Sequence, residues 1–121
     1  MLTFCSTYLA SQELEKPLLK FSYACASNSF NSFETEISYN SSPFNSDNVF
    51  TIELSDKDGN FSSPTIVKTV SNQNSSFKFT TAFQIPNDAH GTGYKIRVKS
   101  SSPQQISPES DAFEAYYATS Q

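Results

Sequence analysis

The sequence predicts an all-β domain, a sandwich of about seven antiparallel strands. Three observations lead there. First, Tyr94, Ile96 and Val98 alternate strictly with Lys95, Arg97 and Lys99, directly after Gly91-Thr92-Gly93. That is the pattern of a half-buried strand leaving a turn. Second, six other short stretches are apolar or alternate in the same way, with Gly, Pro, Asn, Asp and Ser between them. Third, no stretch sustains helical spacing; at most one turn near residues 87–90 fits a helix. The 121 residues make one domain, large enough to bury roughly 65% of its unfolded surface without metal or disulfide support.

Taken in order, residues 17–26 read as a mostly apolar first strand. Residues 32–39 alternate cleanly, with Phe33, Thr35, Ile37 and Tyr39 against Glu34, Glu36 and Ser38. Residues 40–48 form a polar loop around Pro43 and Phe44. Residues 49–55 make a third strand with Phe50, Ile52 and Leu54 inward. Asp56-Lys57-Asp58-Gly59-Asn60 is a turn, because Asp-Gly readily supplies the positive φ that hairpin turns need. Residues 65–70 are a short β-branched strand. Residues 77–85 alternate through Phe77, Phe79, Thr81, Phe83 and Ile85. Residues 86–93 read as the turn before the Tyr94 strand. Residues 100–111 read as a long Ser/Pro/Gln loop, and residues 112–118 as the last strand, through Phe113, Ala115 and Tyr117. The expected core is Phe33, Ile37, Phe50, Ile52, Leu54, Phe77, Phe79, Phe83, Ile96, Val98 and Phe113.

Seven short strands separated by turns fit an immunoglobulin-like β-sandwich. In that arrangement the second strand pairs with the fifth, and the sixth lies between the third and the seventh. Lys95, Arg97 and Lys99 then face Glu53 and Glu114, and Glu34 and Glu36 face Lys78. The basic stripe reads as a paired sheet face rather than an anion site. Tyr94, beside a turn, is expected to be buried with its hydroxyl on nearby backbone. The two long loops, residues 40–48 and 100–111, should share one end of the sandwich. They offer Phe44, Gln104, Gln105 and Ile106 as candidate partner-binding residues.

The remaining chemistry is sparse. The net charge is −4, with no basic tail, so nucleic acid is not an expected partner. His90 is the only histidine and lies in a turn. There is no nucleophile elbow, zinc-binding helix motif, C-x-x-C or phosphate-binding loop, and no enzyme is predicted. No cofactor and no metal are expected. Asp56, Asp58 and Asn60 have the oxygen spacing that opens a calcium loop, but Gly59 falls at the fourth position and Val67 stands where the closing Glu belongs. A hairpin turn explains them better. Three formal glycosylation sequons, at Asn40, Asn60 and Asn74, are expected by chance in so Ser/Asn-rich a chain. Cys25 reads as a small core hydrophobe. Residues 1–11 are apolar and uncharged, ending in Leu9-Ala10-Ser11 before Gln12-Glu13. They read as the remnant of a secretory signal, too short to span a bilayer, with the domain proper at residues 12–121.

Three runs carry a family resemblance: Asn48-Val49-Phe50-Thr51-Ile52-Glu53-Leu54-Ser55-Asp56-Lys57-Asp58-Gly59-Asn60-Phe61-Ser62-Ser63-Pro64-Thr65, then Gly93-Tyr94-Lys95-Ile96-Arg97-Val98-Lys99-Ser100-Ser101-Ser102-Pro103, then Asp111-Ala112-Phe113. With the Glu15-Lys16-Pro17 and Ala24-Cys25-Ala26-Ser27 stretches, roughly residues 15–117 resemble an immunoglobulin-like module. It is the N-terminal domain of secreted Bacteroidetes proteins, flavobacterial ones especially, that carry a gliding-motility-associated C-terminal domain, the type B sorting signal of type IX secretion. The resemblance implies a first domain of a longer exported protein, extracellular or at the cell surface, with neighbouring domains of that protein as partners and no catalytic residues. The expected function is a non-catalytic spacer or adhesion module. The alternatives are a carbohydrate-binding module using exposed aromatics such as Phe44 and Tyr116 on a surface glycan, and an accessory domain of a larger extracellular enzyme.

Overall fold

The computed structural model describes residues 13–118; the leader-like residues 1–11 lie outside them. The described residues form strands and no helix: β1 (Glu13–Leu14), β2 (Leu18–Leu19), β3 (Tyr23–Ser27), β4 (Phe33–Asn40), β5 (Val49–Leu54), β6 (Thr65–Ser71), β7 (Lys78–Phe83), β8 (His90–Tyr94), β9 (Ile96–Ser101), β10 (Gln104–Ile106) and β11 (Phe113–Ala118). One layer is built on β4, which takes β7 on one side and the short β1 and β2 on the other. The second runs β6-β5-β9-β10 and, past a one-residue break at Lys95, β8-β11-β3. All pairings are antiparallel except β3 with β11, which is parallel. The domain is an all-β sandwich.

The core lies where the inward faces meet. Phe50 of β5 packs on Tyr39 of β4 and Phe79 of β7, with ring centroids 5.6 and 5.5 Å apart. Toward the other end Phe21 wedges edge-on against Phe83 and Phe113, at 5.9 and 5.1 Å. Alternation explains most of this, because successive side chains of a strand point to opposite faces. Phe33, Ile37, Phe50, Ile52, Leu54, Phe79, Phe83, Ile96, Val98 and Phe113 are buried as expected.

Phe77 is the exception. It precedes β7 with φ +65°, which takes it off the strand's alternation and leaves the ring exposed. Its carbonyl still accepts the Tyr39 N–H at 2.9 Å. Cys25 is likewise corrected: on β3 it is Ala24 and Ala26 that face the core, and the Cys25 thiol is exposed.

The expected sixth strand breaks in two. Residues 90–94 belong to β8 and pair with β11, while residues 96–101 pair with β5. Gly91 and Gly93, expected in a turn, are therefore strand residues. They are glycines because the 56–60 turn lies on them. A Cβ at Gly91 would sit 2.5 Å from the Lys57 Cβ, and one at Gly93 2.6 Å from the Lys57 carbonyl oxygen. That oxygen accepts the Gly93 N–H at 2.9 Å. Tyr94 is buried and its hydroxyl accepts the His90 N–H at 3.1 Å, as expected, although it closes β8 rather than opening a strand.

The long loop expected at residues 100–111 is also partly strand. β10 folds back on β9 with Gln104 opposite Ser101 and Ile106 opposite Lys99. Beyond it two buried serines continue the ladder. Ser107 and Ser110 donate their N–H groups to the Val98 and Ile96 carbonyls, each at 2.8 Å. Their hydroxyls accept the Val98 and Ile96 N–H groups at 2.8 and 2.9 Å. The hydroxyls thus satisfy buried donors that would otherwise be costly.

Candidate functional site

The two loops expected at one end of the sandwich do meet there, and a third joins them. Asn48, only 1% exposed, accepts the Ser101 and Ser102 N–H groups on Oδ1 at 2.9 and 3.0 Å. It donates through Nδ2 to Asn74 Oδ1 at 2.9 Å. The Phe44 N–H donates to the Asn74 carbonyl at 2.8 Å. This stitching turns the Phe44 ring inward. It is 5% exposed and packs edge-on against Tyr39 and Phe50 at 4.8 and 5.1 Å. Phe44 is thus a core residue and not the exposed contact the loop position suggested. Sequence reasoning missed Asn48, since nothing local distinguishes it from Asn45 or Asn40; the meeting of three loops singles it out.

Gln104, Gln105 and Ile106 lie on β10. Gln105 turns toward β1, where its Oε1 accepts the Leu14 N–H at 3.3 Å. Gln104 and Ile106 stand on the outer face of the β6-β5-β9-β10 sheet, by their register with Ser101 and Lys99. On that face Val49, Thr51, Glu53, Ile66, Lys99 and Gln104 line one shallow depression of about 210 Å³. Ile66 and Ile106 are 63% and 56% exposed. The charges between them are paired. Glu53 is buried and accepts from Arg97 Nε at 2.8 Å, with Lys99 Nζ at 3.5 Å. The Arg97 guanidinium also lies 4.4 Å over the Phe61 ring. Lys95 finds Glu109 at 3.4 Å rather than the expected Glu114, because the 104–110 segment and not β11 flanks β9. Lys78 and Glu36 pair at 3.7 Å as expected.

A second exposed patch lies toward the other end of β4, where the chain crosses from β2 to β3. Lys20, Phe21, Tyr23, Phe30, Ser32, Phe33 and Glu34 line a groove of about 450 Å³. Tyr23 and Phe30 are 59% and 56% exposed. The glycan reading named Phe44 and Tyr116. Tyr116 is half-buried, edge-on to His90 at 4.8 Å, so the most exposed aromatics are others. Tyr23 could have been found by extending the alternation of Ala24 and Ala26 backward; Phe30 carried no signal.

In the 56–60 turn, Asp56 Oδ1 accepts the Asp58 and Asn60 N–H groups, each at 2.9 Å. These bonds, that of Asn60 foremost, hold its carboxyl below the ordinary value. Its oxygen is committed to the turn. Among the described residues no three His, Cys, Asp or Glu side chains gather as a metal site would require.

No family model and no curated protein sequence matches the chain. Among solved structures it is similar to a superoxide reductase (neelaredoxin) from Ignicoccus hospitalis. The identity is 11% and the TM-score 0.48, over 88% of this chain and 82% of that one.

Proposed function

We propose that this domain is a non-catalytic contact module of a secreted, cell-surface protein, serving as a spacer or adhesion unit. One observation carries the reading: the outer face of β6-β5-β9-β10 leaves Ile66, Val49 and Ile106 exposed around charges that are already paired. Exposed apolar surface rimmed by polar residues marks an interaction face. With Arg97 and Lys99 both paired to Glu53, a partner can cover the face without stripping water from an unpaired charge. A neighbouring domain of the same protein, or another surface protein, fits such a face. The polar side chains at the loop end bond to one another and to backbone, which supports a structural rather than a catalytic use. The apolar, leader-like residues 1–11 support export.

The test is capture of the fluorescently labelled domain by cells of the producing organism. Wild-type domain should be retained at the surface. Ile66→Asp combined with Ile106→Asp should reduce retention by about tenfold or more, the scale of lost hot-spot contacts, with an unchanged circular dichroism spectrum. Retention indifferent to the double variant, or none by wild type, contradicts the contact face. A tag on the native protein that added protease cannot reach contradicts surface location.

A further inference from the structure

The Tyr23–Phe30 groove shares no residue with the sheet face and differs from it in its charges. Lys20 and Glu34 sit opposite each other in the ladder, the Lys20 N–H donating to the Glu34 carbonyl at 3.0 Å. Both side chains are exposed at the groove. Neither the ammonium nor the carboxylate has a partner among the described residues, and the two are not bonded to each other. The phenylalanine side of the groove, by contrast, is held by ring packing. Phe30 packs edge-on against Phe33 at 5.6 Å, and Phe21 is held by Phe33 and Phe113 at 5.5 and 5.1 Å.

We propose that this groove binds a pyranose sugar, one or two units of a glycan chain. The inference goes beyond the sheet-face reading and does not depend on it. Aromatic rings present a negative face, which the electron-poor C–H groups of a pyranose can meet. Lys20 only donates and Glu34 only accepts, whereas a hydroxyl does both. Adjacent sugar hydroxyls can therefore satisfy the two charged groups together. An anionic ligand would pair Lys20 but be repelled by Glu34, and a cationic one would pair Glu34 but be repelled by Lys20, so neither satisfies both groups. A purely apolar peptide would cover both charges and pair neither, which is costly. The volume lies in the range of small-ligand sites, apolar walls with a few convergent polar groups. Phe21 and Phe30 rings already held by packing reduce the ordering cost of binding.

The test is calorimetric titration of the purified domain with four probes: cellotetraose, chitotetraose, xylotetraose and mannotetraose. At least one should bind, and Tyr23→Ala and Phe30→Ala should each weaken it about tenfold or more. Glu34→Gln, which keeps an acceptor, should weaken it less. Phe30→Tyr keeps the ring and should retain binding, which controls for folding. No heat with any probe up to about 10 mM overturns the proposal. Binding unaffected by both alanine variants also overturns it. So does self-association in the absence of sugar that those variants abolish, since it would assign the groove to a second copy. Ile66→Asp with Ile106→Asp should leave the titration unchanged, so failure here and failure of the sheet-face reading are separable.

Discussion

Two patches of this domain expose apolar side chains, and they differ in what becomes of the charges among them. On the β6-β5-β9-β10 face, Glu53 gathers Arg97 and Lys99, and Phe61 lies under the guanidinium. The face is aliphatic, and each of its charged groups has a partner, with Arg97 and Lys99 sharing one carboxylate. At the β2–β3 crossover, Tyr23 and Phe30 stand beside Lys20 and Glu34, neither of which has an ion-pair partner among the described residues. Hydrophobic exposure alone would rank the two alike. Charge pairing separates them: the first suits a dry protein surface, and the second suits a ligand that brings hydroxyl groups. A third region, the loop end, differs from both: its Phe44 ring is inside, its partly exposed Phe77 ring leans on Tyr39 at 5.2 Å, and its Asn48 and Asn74 amides are bonded to backbone and to one another.

The largest effect should come from that third region. Phe44→Ala should cost about 3–5 kcal/mol, the range for emptying a buried aromatic site, read as a drop in urea midpoint at unchanged slope. A near-neutral Phe44→Ala would return this residue to the surface and undo the division into two patches. Asn48→Ala should cost about 2–4 kcal/mol, because it orphans the Ser101 and Ser102 N–H groups together. On the sheet face, Glu53→Ala should cost about 1–3 kcal/mol, less than a fully buried pair because Arg97 and Lys99 remain partly solvated. If chemical denaturation shows no loss, the charges are not settled on one another and the contrast with Lys20 and Glu34 fails. Tyr23→Ala and Ile66→Asp should each change stability by under about 1 kcal/mol, as exposed positions do.

The smallest effect concerns pH. The Lys16 ammonium, 2.8 Å away, holds the Asp111 carboxyl below its ordinary value. A carboxyl depressed on folding contributes stability above its unfolded pKa and loses it as pH falls through the folded one. The contribution should fade below about pH 4. Asp111→Asn should make the melting temperature fall slightly less between pH 5 and pH 2, in thermal melts at low salt, where surface pairs are least screened.

The strands were legible because period-two burial writes itself into the sequence. β4, β5, β7 and β9 could be drawn from alternation alone, and the Lys78–Glu36 and Arg97–Glu53 pairs followed from which strands lie side by side. What escaped was set by backbone geometry or by meetings across the chain. Phe77 continues a perfect alternation, but its positive φ takes it out of register. Gly91-Thr92-Gly93 looks like a turn because glycine usually marks one, yet here glycine marks the approach of Lys57. The Ser/Pro run at residues 100–111 looks like a loop because its ladder is completed by serine hydroxyls, which no propensity scale counts as strand. The candidate partner residues divided the same way. Ile106 and Gln104 reached an exposed face because they alternate on β10, while Phe44 went inside because three loops close over it. Tyr23 and Phe30 are brought together by the β2–β3 crossover and the 27–30 turn, which only the folded chain shows.

The most direct test of the two-patch account is a chemical-shift map of the ¹⁵N-labelled domain titrated with whichever of the four tetrasaccharides gives heat. Shifts should be confined to the backbone around Lys20, Tyr23, Phe30 and Glu34, with Val49, Ile66, Lys99 and Ile106 unmoved. Shifts centred on the β5–β9 face, with the Tyr23–Phe30 groove silent, would contradict it.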